Sequence, residues 1–228
     1  PRDARAVAEC RALWITANSK MGFKVAVIYY SRRGRLVTLA NVIAEGVRQV
    51  EGAEVTVYRI RDPVLGDAPG TFDEGVLDAP VATPEVIMQS DCVIIGGPGR
   101  QGRMCAEVSY FFDSLTEFQT NGCLLKGKVG SAFTSVGGVG RGYGGHEAIL
   151  QSFHGFFLQH GMIPVGVPPS SVMEDAHMAS PFGVCMTGKP KDKAGSRLRS
   201  LSESEVKLAY SQGEWASIIT KQLHDDGD

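Results

Sequence analysis

At 228 residues, 43% of them hydrophobic and 21% charged, the chain has the composition of an ordinary globular protein with one substantial core. A formal net charge of −2 gives no electrostatic case for nucleic acid or an anionic membrane as the main partner. No apolar run approaches the roughly 18 residues that a membrane span needs.

The first strong signal is "KVAVIYY" at 24–30, a near-continuous apolar run of the kind a parallel strand shows when both its faces are covered. Leu36, Leu39, Ala40, Ile43, Val47 and Val50 follow at helical spacing over 36–49. "EVTVYRI" at 54–60 alternates as a short strand, and "SDCVIIGGP" at 90–98 is a second buried strand that runs into a Gly/Pro turn. Residues 103–118 predict a helix with Met104, Val108, Phe111, Phe112 and Leu115 inward. "KVGSAFTSV" (128–136) predicts a further strand, 146–160 a helix, and "MIPVGVP" (162–168) a fifth strand. A long helix closes the chain, with Ser202 and Glu205 at the spacing of a capping box.

Five strands alternating with helices predict a doubly wound α/β sheet with helices on both faces. Ligands of such sheets bind beyond the C-terminal strand ends. Three loops at that edge are rich in glycine: "SRRGR" after the first strand, "GGPGRQGR" after the third and "SVGGVGRGYGGHE" after the fourth. Each opens a helix, a layout suited to a planar, phosphorylated ligand. In the first loop the Ser31 hydroxyl, the backbone N–H groups of 32–36 and a helix N-terminus make an anion site. Arg32, Arg33 and Arg35 add charge there, or are simply solvated.

Other chemistries find little support. "GPGRQG" and "GRGYGG" both fit GxGxxG, but the strand after the first ends at Thr134-Ser135 with no carboxylate for a ribose, so the dinucleotide fingerprint fails. No P-loop, nucleophile elbow or HExxH occurs. The histidines (His146, His154, His160, His177, His224) and cysteines (Cys10, Cys92, Cys105, Cys123, Cys185) are not at metal spacing, so no metal site is expected. Scattered cysteines and the lack of an Asn-x-Ser/Thr acceptor point to a reducing, cytoplasmic compartment.

"KVAVIYYSRRGRLVTLANVIAEGVRQVEGAEVTVYRI", "DAPVATPE", "GGPGRQGRM", "HGMIPVG" and the closing "SLSESEVKLAYSQGEWA" together resemble the WrbA-type NAD(P)H:quinone oxidoreductases of the flavodoxin-like superfamily. The resemblance runs from about Lys24 to Leu223. It implies a five-stranded parallel sheet, FMN held at the three loops, NAD(P)H as electron donor, a quinone as acceptor and a homo-oligomer, dimer or tetramer, with sites where subunits meet. It makes 21–228 a single flavodoxin-like domain. Residues 1–20 are then an N-terminal extension, an expression remnant or a targeting segment, with Asp3 and Glu9 against a transit peptide.

Carried over by position, the resemblance assigns Ser31, Arg32, Arg33, Gly34, Arg35 and Leu36 to the FMN phosphate. It assigns Pro98, Gly99, Arg100, Gln101 and Gly102 to one edge of the ring, and Ser135, Val136, Gly137 and Gly138 to the side opposite. His160, before Gly161-Met162, matches a family histidine on the substrate side of the flavin and is the expected catalytic residue. The match is uneven. Arg33 and Arg35 stand where the family has Tyr and His/Asn, and Gly99, Gln101 and Arg103 where it has Thr, an aromatic and Asn. Each lost polar contact costs about 0.5–1.5 kcal/mol. The residues therefore leave three readings open: an FMN-dependent quinone reductase, a flavodoxin-like interaction or structural protein with weakened or lost FMN binding, or a site for another phosphorylated ligand.

Overall fold

The computed structural model describes residues 22–137, 143–169, 180–187 and 200–225. Strand β1 (Phe23–Tyr29) lies in the middle of a parallel sheet, with β2 (Ala53–Arg59) on one side and β3 (Cys92–Arg100) on the other. Beyond β3 comes β5 (Val129–Val136), and then the sheet's far edge. Strand positions thus run in the order 2-1-3-4-5 of flavodoxin-like sheets, with the switch in direction between β1 and β3.

The fifth position departs from the sequence expectation. It is built from two pieces, β6 (Ile163–Pro164) beside the start of β5 and β7 (Gly183–Thr187) beside its end. The Val165 N–H still donates to the Gly130 carbonyl at 2.8 Å, but the rest of 165–168, expected to continue the strand, runs next to Pro181, whose carbonyl accepts from the Val167 N–H at 3.2 Å. A side chain at Gly166 would collide with that same carbonyl. β7 takes over the pairing from there, so the sheet has seven strands rather than five, with the doubly wound layout intact.

The remaining helices are α1 (Arg35–Val47), α2 (Pro84–Gln89), α3 (Ala106–Asp113), α4 (Thr116–Thr120), α5 (His146–Gln159) and α6 (Glu203–Asp225). Period-two alternation along β1 sorts them into two layers. Val25, Val27 and Tyr29 point into a core shared with Leu36, Leu39 and Ile43 of α1 and Leu208 and Ala216 of α6. Ala26, Ile28 and Tyr30 face the other core, with Val108, Phe111 and Phe112 of α3 and Ile149, Phe153 and Phe157 of α5. The helix expected over 103–118 is broken into a short strand, β4 (Arg103–Met104), then α3 and α4. The two-residue turn at Gln101-Gly102 reverses the chain first, which is why the helix starts late. α2 was not expected. Its signal is Pro84 at the first helical position, where a missing N–H costs nothing. The capping box forms as read: Glu205 N–H donates to Ser202 Oγ at 3.2 Å and Ser202 N–H to Glu205 Oε2 at 2.8 Å. Among the described residues no helix is long and apolar enough to cross a membrane.

Candidate functional site

Parallel register brings the three loops to one edge. Tyr29 pairs with Gly96 and Pro98 with Ser135, so β1, β3 and β5 end side by side. Thr134 Oγ1 reaches across to the Gly97 carbonyl at 2.8 Å and ties the last two. Of the residues assigned to a cofactor, Ser31 to Leu36, Pro98 to Gly102 and Ser135 to Gly137 all lie at this edge. Gly138 lies outside the described residues.

In the first loop, Ser31 is buried and Gly34 caps α1 in the left-handed conformation, φ 70°. The glycine carbonyl accepts from the Val37 and Thr38 N–H groups, starting the helix. No side chain caps this end, and no acidic residue stands in the first turn. The Val37 and Thr38 N–H groups are taken up by Gly34, but with no side-chain cap and no acid in the first turn the positive end of the helix dipole suits an anion.

The second loop is a β-hairpin. β3 and β4 are antiparallel, with Gly99 opposite Met104 and Arg100 opposite Arg103. Gln101 and Gly102 between them have φ 54° and 75°, as a two-residue hairpin turn requires. The GxGxxG match is thus a tight turn. Gly99 packs so closely on α5 that a Cβ would run into Ile149 Cδ1. The third loop touches the hairpin: a Cβ on Gly145, the α5 N-cap, would come within 3.2 Å of Gly102 Cα.

Charged side chains under these loops form a network that the sequence reading missed. Tyr30 OH donates to Asp62 Oδ2 at 2.6 Å and lies 3.0 Å from Glu107 Oε1. Arg32 Nε donates to Tyr30 OH at 2.9 Å, and its Nη2 to Asp62 at 3.1 Å. Arg100 Nη1 donates to Glu107 at 2.8 and 3.1 Å. Arg33 Nη1 donates to Asp73 Oδ1 at 2.9 Å. So Arg32 and Arg33 are engaged by carboxylates, and the pull on an anion falls mainly to backbone amides. Burial alone would raise the Asp62 carboxyl, but hydrogen bonds from Tyr30, the Leu65 and Val64 N–H groups and Arg32 outweigh it and bring it down to about 2. Burial, reinforced by Asp62, pushes the Tyr30 phenol up. The available signal was Tyr30 itself, a hydroxyl inside an otherwise apolar strand that needs a polar partner once buried.

His160 is not brought to this edge. It follows α5, whose 14 residues run back down the sheet, and Gly161 beside it accepts from Gly127 N–H just before β5 begins. A helix of that length spans about 20 Å. The His160 ring packs on Phe156 with centroids 4.3 Å apart, and its Nδ1 is buried without a hydrogen-bond partner. Burial lowers its pKa. A cleft of about 650 Å³ opens between residues 60–66, Pro84 and Tyr110, beside the end of β2, with Asp62 of this network in its lining.

Residues 23–176 match the family described as NADPH-dependent FMN reductase. The chain belongs to that family. It is 35% identical over 206 residues to a protein of Chromohalobacter salexigens named NAD(P)H dehydrogenase (quinone), covering 88% of this chain and 98% of the relative. A protein of the same name from Aromatoleum aromaticum is 34% identical over 209 residues, covering 88% and 97%. Among solved structures, the fold is similar to that of a flavodoxin, a WrbA-like protein from Agrobacterium tumefaciens, with a TM-score of 0.58 at 18% identity over 88% of this chain and 99% of that one. The WrbA-type, flavodoxin-like resemblance read from the sequence agrees with these matches.

Proposed function

We propose that the protein is an FMN-dependent NAD(P)H:quinone oxidoreductase. The observation that carries this reading is the edge where β1, β3 and β5 end together, with the uncapped α1 N-terminus at one side of it and two glycine-rich turns at the other. FMN fits the residues present. Its phosphate is suited by an uncapped helix N-terminus with no acid in the first turn, as at Gly34 and α1, while the neighbouring Asp62 and Asp73 carboxylates are taken up by Arg32 and Arg33. Its flat ring needs room beside the loops, which Gly102 and Gly137 leave, since a Cβ at either would meet nothing within 4 Å.

Ser31 and the amides through Leu36 would hold the phosphate, with Arg32, Arg33 and Arg35 around it. Pro98, Gly99, Arg100, Gln101 and Gly102 would border the ring, opposite Ser135, Val136, Gly137 and Gly138. The chemistry FMN supplies when bound is two-electron transfer, with hydride in from NAD(P)H and reducing equivalents out to a quinone; the protein binds, orients and excludes water. His160, buried against Phe156 at the opposite end of the sheet, takes no part at its own chain's site in this reading. The reading includes a homo-oligomer, a dimer or tetramer, whose sites are completed across subunits. The buried thiols of Cys92 and Cys105 are in keeping with a cytoplasmic location.

Titration of flavin-stripped protein with FMN, followed by flavin fluorescence, tests the cofactor. Saturable binding in the micromolar range or tighter is expected, together with NAD(P)H oxidation that depends on added quinone. No saturation up to about millimolar FMN, a loss of over three orders of magnitude in affinity, would overturn the reading in favour of a flavodoxin-like interaction protein.

A further inference from the structure

Glu107 occupies the second position of α3, and its side chain is only 7% exposed. Such a carboxylate needs partners, and it draws them from two different loops. Both of its oxygens accept from Arg100 Nη1 of the hairpin, at 2.8 and 3.1 Å. Its Oε1 also lies 3.0 Å from Tyr30 OH and 3.6 Å from Arg32 Nη2 of the first loop. The Arg100 guanidinium sits 5.9 Å from the centre of the Tyr30 ring while its side chain remains 43% exposed. Hairpin and first loop are thus clasped to each other through one buried acid.

The charge balance of the cluster is equally specific. Arg32 and Arg100 are matched by Asp62 and Glu107, two positive charges against two negative. Both arginines belong to the segments that border the proposed flavin site. An acid that neutralises them decides how much positive potential that edge presents to a ligand. Reduced FMN is more negative than oxidised FMN, so this potential bears on the two forms unequally.

We propose that Glu107 is a positioning residue that fixes Arg100 and Arg32 at the flavin edge and, by balancing their charge, holds down the site's preference for reduced over oxidised FMN. The proposal rests on the FMN reading above. It concerns Glu107, Arg100 and Arg32 acting as a charge-balanced set, beyond any direct contact of a single residue with cofactor.

Glu107→Gln keeps the shape and one acceptor oxygen while removing the negative charge. Its expected effect is on the ratio of dissociation constants for reduced and oxidised FMN, measured as the midpoint potential of the bound flavin with free FMN as reference. One uncompensated charge at the border of a partly solvated site should favour the reduced form by about three- to tenfold. A tenfold change corresponds to about 30 mV upward for a two-electron couple. The shift should shrink as salt is raised. Any gain that reaches the phosphate through Arg32 acts on both redox forms alike and cancels in that ratio. Arg100→Gln, which removes the opposite charge, should shift the potential downward, and the double variant should return it close to wild type.

An unshifted potential in a folded, FMN-binding Glu107→Gln protein overturns the clasp and reduces these contacts to fold support. A double variant that does not return toward wild type overturns the charge-balance argument in the same way. Failure of the wild-type protein to bind FMN would instead remove the parent reading, so the two failures are told apart in one set of titrations.

Discussion

Gln212 of α6 stitches the two outer strands together from beneath. Its Oε1 accepts from the Val184 N–H of β7 at 2.7 Å, while Nε2 donates to the Ala132 carbonyl at 2.7 Å and Ser131 Oγ at 2.8 Å on β5. The side chain has no exposure to solvent. A buried amide with three good partners holds in place β7, the second half of the split fifth strand position. Gln212→Leu, close in volume, leaves the Val184 N–H without that acceptor and should cost about 2–4 kcal/mol, from one or two buried polar groups left unpaired. Urea unfolding should show a lower midpoint with an unchanged slope; a change below about 0.5 kcal/mol would mean that water satisfies these groups.

Close contact between α1 and α6 gives a second prediction. A Cβ on Gly46 would collide with the Tyr210 carbonyl, and one on Gly213 with the Ile43 carbonyl. Both obstacles are backbone, which cannot swing aside as a side chain can. Gly46→Ala or Gly213→Ala must push the helices apart and should destabilise by about 3 kcal/mol, the upper end of the usual overpacking cost. Thermal unfolding reads the loss. Gly46 lies near the far end of α1 from the turn proposed to hold the phosphate, so the folded fraction should keep its FMN affinity. Loss of binding in step with stability would show that helix separation reaches the site.

Acid stability should report Asp62. Its folded pKa of about 2 lies below the ordinary value of 3.8. The depressed value means that the ionised form is favoured by folding, so its contribution is fully present above about pH 4. It is lost as the pH falls from there through about 2. The whole contribution is on the order of 2 kcal/mol. In Asp62→Asn this segment of the stability curve should flatten, and Arg32 and the Tyr30 hydroxyl lose their shared carboxylate. A wild-type stability that is level between pH 4 and pH 2, measured by urea unfolding, would contradict the network.

What the sequence announced and what it hid divide along physical lines. The inward residues of α1, the apolar run of β1 and the Ser202–Glu205 box depend on neighbours a few residues away, and they appear in the structure where periodicity put them. The broken fifth strand depends on Pro181 meeting Val167 after an excursion of the chain, which no local pattern records. The same holds for the site. Its glycines mark turns and were legible as such. The acids that take up Arg32, Arg33 and Arg100 sit 30, 40 and 7 residues away from them, and nothing in the sequence says that they will meet. His160 shows the reverse case. A matched motif gave it a role, but only the course of α5 tells which edge of the sheet it reaches.

The division of labour in the first loop is open to direct test. Gly34 has φ 70°, a conformation that a β-branched residue strains to adopt, and the first-turn amides depend on it. Arg33 is half exposed and already paired with Asp73. If backbone amides carry the phosphate, Gly34→Val should weaken FMN binding by tenfold or more, the effect of about 1.4 kcal/mol. Arg33→Ala should weaken it by less than about threefold, in line with a solvated ion pair. Riboflavin, which lacks the phosphate, separates this effect from general damage: its affinity should be nearly the same in wild type and both variants. Fluorescence titrations with the two flavins settle the matter. A large loss for Arg33→Ala with FMN and none with riboflavin would move the grip from the backbone to the arginine and show that Asp73 releases it when the ligand arrives.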